Sequence, residues 1–220
     1  DVTAEQHDTS LYHHGNEPDK PGYTLQELLH LMSSTVKRQR ALAVHVVANI
    51  LQHWKHSADQ SRAAAVLTWT IEHKLPLLVR RVLDEGPEVL VSDALRALHA
   101  LLVNLRDAEI YDEIATTWHG ECIWPLISEH VIGVTEDGEL EQLTDLELSQ
   151  RDVMTAVLQT GLLTRVRYVL EVMRPQNHVT IDLILDLCLA AARHSEIGVN
   201  HLLSVRHNYS VSCLDLTVYF

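Results

Sequence analysis

Apolar residues recur at helical spacing along most of this chain. In one segment, Val44, Val47, Leu51 and Trp54 are separated by three, four and three positions. Such spacing lines one face of a helix with 3.6 residues per turn, whereas a half-buried strand would alternate with a period of two. Together with the caps and breaks between segments, the pattern predicts helices over residues 24–32, 34–56, 59–73, 75–85, 87–105, 107–118, 149–160, 162–173, 178–194 and 196–205.

Helices that follow one another through short turns, without a convincing strand, predict an all-α fold. Because the helices pair at intervals of about 40 residues, we expect an irregular α-solenoid or α-α superhelix of the HEAT or armadillo type. No self-similar consensus is visible between the repeats. A compact bundle is the alternative, and the small residues 63–65 and 190–192, all alanine, fit the close helix packing of a bundle.

The chain divides into three predicted parts. Residues 1–23 form an extended N-terminal arm, residues 24–205 a helical-repeat domain, and residues 206–220 a tail or a truncated next repeat. The first boundary is marked by Thr24-Leu-Gln-Glu27, which fits a capping box. In this motif the threonine and glutamate side chains each accept a hydrogen bond from the other residue's backbone N–H.

One segment, residues 131–148, interrupts the helical pattern. It contains six acidic residues and no Lys or Arg, with Leu140, Leu143 and Leu146 interleaved among the acids. We expect a solvated acidic loop between two halves of the helical domain. The alternative is an acidic-hydrophobic docking segment for a basic groove.

Composition limits the partners and the environment of the chain. Its 17 basic and 30 acidic residues give a formal net charge of -13, so a basic protein surface is a better-matched partner than DNA or RNA. No apolar run approaches the ~18 residues of a membrane helix, so no membrane contact is expected. Without an initiator Met, the chain reads as part of a longer protein. The scattered Cys122, Cys188 and Cys213 favour a reducing compartment, nuclear or cytosolic.

No motif in the sequence predicts catalysis. There is no Gly-x-Ser-x-Gly, no P-loop and no Gly-x-Gly-x-x-Gly segment. His53 and His56 lie one helical turn apart, but no carboxylate or cysteine nearby completes a metal site. His119-Gly-Glu121 matches only the first half of the zinc deaminase signature. We therefore expect no enzymatic activity, no catalytic residue, no cofactor, no metal and no small-molecule substrate.

Three blocks of the sequence resemble one known family. The first block, Leu11 to Leu42, contains His13-His14-Gly15, Glu17-Pro18, Pro21-Gly22-Tyr23 and Gln39-Arg40-Ala41-Leu42. The second block contains Ala94-Leu95-Arg96-Ala97-Leu98 and Trp118-His119-Gly120. The third block contains Arg151-Asp152-Val153, Arg167-Tyr168-Val169-Leu170-Glu171-Val172 and Ala192-Arg193-His194-Ser195. In these blocks the chain resembles the C-terminal domain of the RNA polymerase II-associated protein 1 family. The resemblance covers most of residues 11–205.

The resemblance implies a non-enzymatic interaction scaffold. It implies a role in the assembly, nuclear import and transcription of RNA polymerase II, with polymerase subunits and biogenesis factors as partners and Mediator as a further one. It also implies a nuclear location with a cytoplasmic pool. The competing interpretation is a generic helical-repeat adaptor or transport-type scaffold that binds a peptide segment, which a groove with regularly spaced Asn and Trp would favour.

The candidate partner-binding residues are His13, His14, Gly15, Asn16 and Glu17. They belong to the first family-like block, yet no cap, staple or turn rule accounts for them. We therefore predict that this short polar segment contacts a partner.

Overall fold

The computed structural model describes residues 22–104 and 144–207, together with Glu109 and Glu113. Its helices are α1 (Leu25–Met32), α2 (Lys37–Lys55), α3 (Gln60–Glu72), α4 (Leu75–Val82), α5 (Glu88–Leu102), α6 (Asp145–Arg151), α7 (Val153–Gln159), α8 (Leu162–Tyr168, continued by a π-helical turn, Val169–Met173), α9 (His178–His194) and α10 (Glu196–His207). Across these described ranges the all-α prediction is confirmed.

Several predictions fall on residues outside those ranges. The arm is described only at Gly22 and Tyr23, and the tail only at residues 206 and 207, which end α10. The predicted helix over 107–118 is described only at Glu109 and Glu113, both helical. Residues 131–143 of the acidic segment also lie outside.

The capping box predicted at the first helix is present. The Thr24 hydroxyl accepts a hydrogen bond from the Glu27 N–H at 3.2 Å, and the Glu27 carboxylate accepts one from the Thr24 N–H at 2.8 Å. These two bonds satisfy N–H groups that the first turn leaves without helical partners. Leu28 follows one residue later and is fully buried, so the cap fixes where the chain enters the core.

The end of the acidic segment is helical, and here the loop prediction is wrong. Thr144 and Glu147 form a second capping box, so α6 begins at Asp145 and residues 144–148 are not loop. The helix predicted over 149–160 is also wrong as a single element. Asp152 ends α6 in an extended conformation and caps α7, where its carboxylate accepts the Thr155 N–H at 3.1 Å.

Helix α5 lies at the centre of the core. It packs against α2, α4 and α9, and Ala94, Leu95 and Leu98 on it are completely buried. The buried cluster that contains them extends without a break from Leu28 in α1 to Leu187 in α9. Residues far apart in sequence therefore share one apolar core, which is the main source of stability for such a fold.

Helices α2, α5 and α9 run in the same direction. Contacts between α2 and α5 pair His45 with Asp93 and, further along both helices, Lys55 with His99. Contacts between α5 and α9 likewise advance together from Ser92 and Thr180 to His99 and Asp186. Parallel stacking of non-consecutive helices is a feature of α-solenoids. The shared central core equally suits a bundle, so the solenoid stays a prediction.

Three arginines converge on the turn that follows α4, residues 83–86. The Arg40 guanidinium binds the Glu85 carboxylate at 2.6 and 2.7 Å, and Arg165 of α8 donates to the backbone oxygens of Leu83 and Glu85. Arg80 donates to the Asp84 carboxylate at 3.0 Å. We call this arrangement the arginine junction. It connects α2, α4 and α8 through a turn whose carbonyl groups would otherwise lack helical donors.

Candidate interaction face

A row of polar side chains forms hydrogen bonds between neighbouring members of the parallel helices α2, α5 and α9, and all but the buried Asp93 and Thr180 are at least partly exposed. We call it the ladder face. Its members are His45, Asn49, Gln52 and Lys55 of α2, Ser92, Asp93, Arg96 and His99 of α5, and Thr180 and Asp186 of α9.

Arg96 and Asp93 organise the α2 side of the ladder face. The Asp93 carboxylate, only 9% exposed, contacts the His45 ring at 3.0 Å and accepts from Arg96 at 2.8 Å. A second nitrogen of Arg96 donates to the side-chain oxygens of Asn49 and Gln52 at 2.7 and 2.8 Å. One guanidinium thus holds two turns of α2 in register with α5, using the planar fork of donors that only arginine provides.

The α9 side of the ladder face depends on His99. Its Nε2 lies 3.0 Å from the Asp186 carboxylate, and the Lys55 ammonium donates to its backbone oxygen at 3.3 Å. Burial and the neighbouring Lys55 charge lower the pKa of His99, although Asp186 acts in the opposite direction. Burial likewise lowers the pKa of Lys55, against the attraction of Asp186. His99 therefore favours its neutral form, with one ring nitrogen as donor.

Exposed apolar side chains accompany the polar row on α9. Val179, Leu185 and Leu189 are 56%, 39% and 41% exposed, and Asp182 and Asp186 lie among them. Apolar side chains interspersed with polar groups are typical of a surface that binds another protein. No nucleophile with an activating base is visible on this face among the described residues.

Sequence patterns hint at the ladder face without identifying it. On α2 the polar positions 45, 49 and 52, and on α5 the positions 92, 96 and 99, each recur at helical spacing opposite the apolar stripe. That spacing is also found on any solvated helix face. Only the packing of α2 on α5 shows that Arg96 reaches Asn49, 47 residues earlier in the chain.

The structure does not test the predicted partner-binding segment. His13, His14, Gly15, Asn16 and Glu17 all lie outside the described residues. Of the histidines considered for metal binding, His53 packs edge-on against Trp54, with ring centroids 5.5 Å apart. Within the described ranges no three His, Cys, Asp or Glu side chains gather closely enough to hold a metal ion. His119 and Glu121 are not among the described residues.

Two further observations concern membranes and thiol chemistry. No helix in the described part of the chain has the length and apolar character needed to cross a membrane. The Cys188 thiol is free, and burial raises its pKa to about 11. A thiol with so high a pKa is mostly protonated at neutral pH and is a weak nucleophile.

These features define an all-α chain with a polar face that is a candidate for interaction, and comparison with known proteins identifies its family. The family model described as RPAP1-like, C-terminal, matches residues 1–55. RNA polymerase II-associated protein 1 of Rattus norvegicus is 36% identical over 201 residues, which is 84% of this chain and 14% of that protein. The Homo sapiens protein of the same name is 36% identical over 200 residues, with the same coverage.

A more distant relative matches only a short stretch. RNA polymerase II-associated protein rba50 of Schizosaccharomyces pombe is 44% identical over 41 residues, 19% of this chain and 9% of that protein. No solved structure matches the chain. The chain belongs to the RPAP1-like family, as the three sequence blocks predict, and it spans about 14% of the length of the mammalian relatives.

Proposed function

We propose that this chain is a non-enzymatic scaffold that binds RNA polymerase II subunits and the factors that assist polymerase assembly and nuclear import. The observation that carries the proposal is the 36% identity, over 84% of the chain, to proteins named for their association with RNA polymerase II. The whole relatives are about seven times longer than the matched stretch. The proposal is therefore that this part contributes a contact of its own.

Two surfaces are proposed for that contact. The first is the ladder face, where exposed leucines on α9 accompany polar groups held rigidly by Arg96 and Asp93. Side chains fixed before binding lose less entropy when a partner docks. The second is the segment His13 to Glu17, predicted from sequence. The ladder face belongs to an irregular helical superhelix in this proposal, which the parallel direction of α2, α5 and α9 supports, and the predicted segment belongs to the extended N-terminal arm.

The proposal includes a wider cellular setting. A scaffold for polymerase assembly and import would act in the nucleus and keep a cytoplasmic pool, and Mediator would be a further partner during transcription. The net charge of -13 supports protein partners with basic surfaces over direct contact with nucleic acid.

A generic peptide-binding adaptor has less support from the ladder face. Asn49 and Gln52 are the amide side chains that would bind the backbone of a peptide. The side-chain oxygens of both already accept hydrogen bonds from Arg96, so a peptide that uses those oxygens competes with the guanidinium. Displacing Arg96 from both amides would remove two of the three acceptors described for the guanidinium, and this loss offsets part of the bonds gained.

Affinity purification tests the proposal. The tagged chain is incubated with nuclear and with cytoplasmic extract, and the bound RNA polymerase II subunits are quantified by mass spectrometry. Recovery of polymerase subunits from either extract is expected. Their absence from both would contradict the proposed function of this part of the family.

Matched variants locate the contact. Replacing Leu185 and Leu189 with Ser tests the ladder face, and replacing residues 13–17 with Ser and Gly tests the predicted segment. Leu67→Ser on α3, which alters a leucine that is 45% exposed, is the control. Loss of polymerase subunits with one of the two test variants, but not with the control, assigns the contact to that surface.

A further inference from the structure

An open groove of about 390 Å³ lies beside the arginine junction. Its lining residues are Arg80, Asp84, Gly161, Thr164, Arg165 and Tyr168. Gly161 adopts a left-handed conformation, with φ of +76°, and a Cβ atom there would lie 3.7 Å from Arg80 Nη2. A glycine at this position therefore satisfies the backbone and leaves the guanidinium side of the groove open.

The charges at the arginine junction do not balance. Within the described ranges, the three guanidinium groups of Arg40, Arg80 and Arg165 face two carboxylates, Asp84 and Glu85. The three arginine side chains are between 9% and 16% exposed, so water screens them little. The carbonyl groups at the end of α4 supply only partial negative charge. Among the described residues, one positive charge of the junction thus has no full counterpart, in a chain whose net charge is -13.

Arg80 also has more donors than acceptors. It donates to the Asp84 carboxylate at 3.0 Å and to the Gly161 carbonyl at 3.1 Å, while its buried Nε finds no acceptor among the described residues. A buried charged group usually has its hydrogen-bonding capacity filled. The guanidinium thus has donor capacity that its present acceptors do not fill, on a residue that lines the groove.

The rim of the groove suits an anion that approaches from solvent. The Arg165 guanidinium lies 4.5 Å from the ring centroid of Tyr168, which holds the cation in place. Thr164 and Tyr168 are exposed, so their hydroxyl groups are within reach of a bound ligand. Asp84 is 57% exposed and contacts both Arg80 and Arg165. Its carboxylate therefore lies where an incoming carboxylate or phosphate would bind, and it can swing out to solvent.

We propose that this groove binds a single carboxylate or phosphate group carried by a segment of a partner protein, in competition with Asp84. Carboxylate and phosphate each present two neighbouring oxygens, which arginine recognises with paired N–H donors. The inference is independent of the ladder face and of any contact with RNA polymerase II.

The test uses the chain with Asp84→Asn, which removes the competing charge at an exposed site. Three short peptides that differ only in a central Ser, phosphoserine or Glu are titrated into isotope-labelled protein. Binding is followed through the backbone amide signals of Gly161 and Thr164. We expect Asp84→Asn to bind the anionic peptides about fivefold more tightly than the wild type does, the equivalent of one exposed ion pair.

The control is Asp182→Asn, which removes an exposed carboxylate from α9 and leaves the groove intact. It should not change the affinity. Preference for phosphoserine identifies a phosphorylated segment as the ligand, and equal or better binding of Glu identifies an acidic one. Equal binding of all three peptides to Asp84→Asn, or an equal gain with Asp182→Asn, would overturn the proposal.

Discussion

A side chain at Gly198 would overlap the backbone carbonyl group of Ala191. The Cβ atom of any other residue at this position would clash with that carbonyl group, because the first turn of α10 lies directly against the last turns of α9. The Gly198 N–H, in the first turn of α10, donates a hydrogen bond to the Ser195 hydroxyl at 3.3 Å. The corner between the two helices therefore depends on glycine at 198.

Replacing Gly198 with Ala should destabilise the protein. Two backbone segments must separate to admit the methyl group, and overpacking of this kind costs about 1–3 kcal/mol. Urea denaturation measures the loss. Gly86→Ala is the matched control, because a Cβ atom there meets no neighbour; it should leave the free energy of unfolding unchanged or raise it by about 0.4–1 kcal/mol. Equal effects of the two variants would contradict the packing at Ala191.

Local sequence rules predict the start of helices wherever a cap stands alone. Thr24 and Glu27 lie between a polar arm and an apolar stripe, so their capping box can be predicted from the sequence. The same motif at Thr144 and Glu147 lies inside a run of acidic residues, where charge suggests a loop. At Asp152 a capping residue interrupts apolar spacing that continues on both sides. The pattern alone therefore merges two helices into one.

Contacts between residues far apart in the chain could not be predicted from the sequence pattern. Arg40 stands at the end of the polar run 37–40, and nothing in that run indicates that it binds Glu85, 45 residues later. Arg165 reaches the Leu83 carbonyl across 82 residues. Helical spacing fixes which side of a helix a residue occupies, but the partner depends on how helices pack. The arginine junction and the ladder face both depend on this packing of helices, which the spacing does not specify.

Leu98 at the centre of α5 should be far more sensitive to truncation than an exposed leucine. Leu98 is completely buried, so Leu98→Ala leaves a cavity and should cost about 2–5 kcal/mol. Leu67→Ala on α3 removes the same atoms from a side chain that is 45% exposed, and should change stability by less than about 0.5 kcal/mol. Thermal and urea denaturation measure both. Similar losses would show that α5 is not central to the core.

The Asp152 carboxylate should stabilise the protein in a pH-dependent manner. Burial opposes its ionisation, but hydrogen bonds from His194 and Thr155 and the charge of His194 outweigh burial and lower the pKa of Asp152. Asp152→Asn keeps the capping oxygen and removes the charge, so it should cost about 2 kcal/mol at pH 7.

The sign of the pH dependence follows from the lowered pKa of Asp152. The unfolded chain binds the proton first, so the stabilisation is complete above the unfolded pKa of about 4 and is lost as the pH falls below it. The difference in unfolding free energy between wild type and Asp152→Asn should therefore shrink below about pH 4. Asp182→Asn, at an exposed position, is the control and should show no comparable difference. A constant difference down to pH 3 would contradict the role of the charge.

His99 should make the fold less stable as the pH falls through about 6.5. Burial and the Lys55 charge lower its pKa, so the unfolded chain binds a proton at a higher pH than the folded one. His99→Gln should therefore lose less stability than the wild type between pH 7.5 and 5.5. NMR titration of the His99 ring gives an independent measure of its pKa.

Two neighbours of His99 should shift its pKa in opposite directions. Lys55→Met should raise the pKa of His99, and Asp186→Asn should lower it further, because Lys55 lowers this pKa and Asp186 raises it. Shifts in the same direction would refute this account of the ladder face.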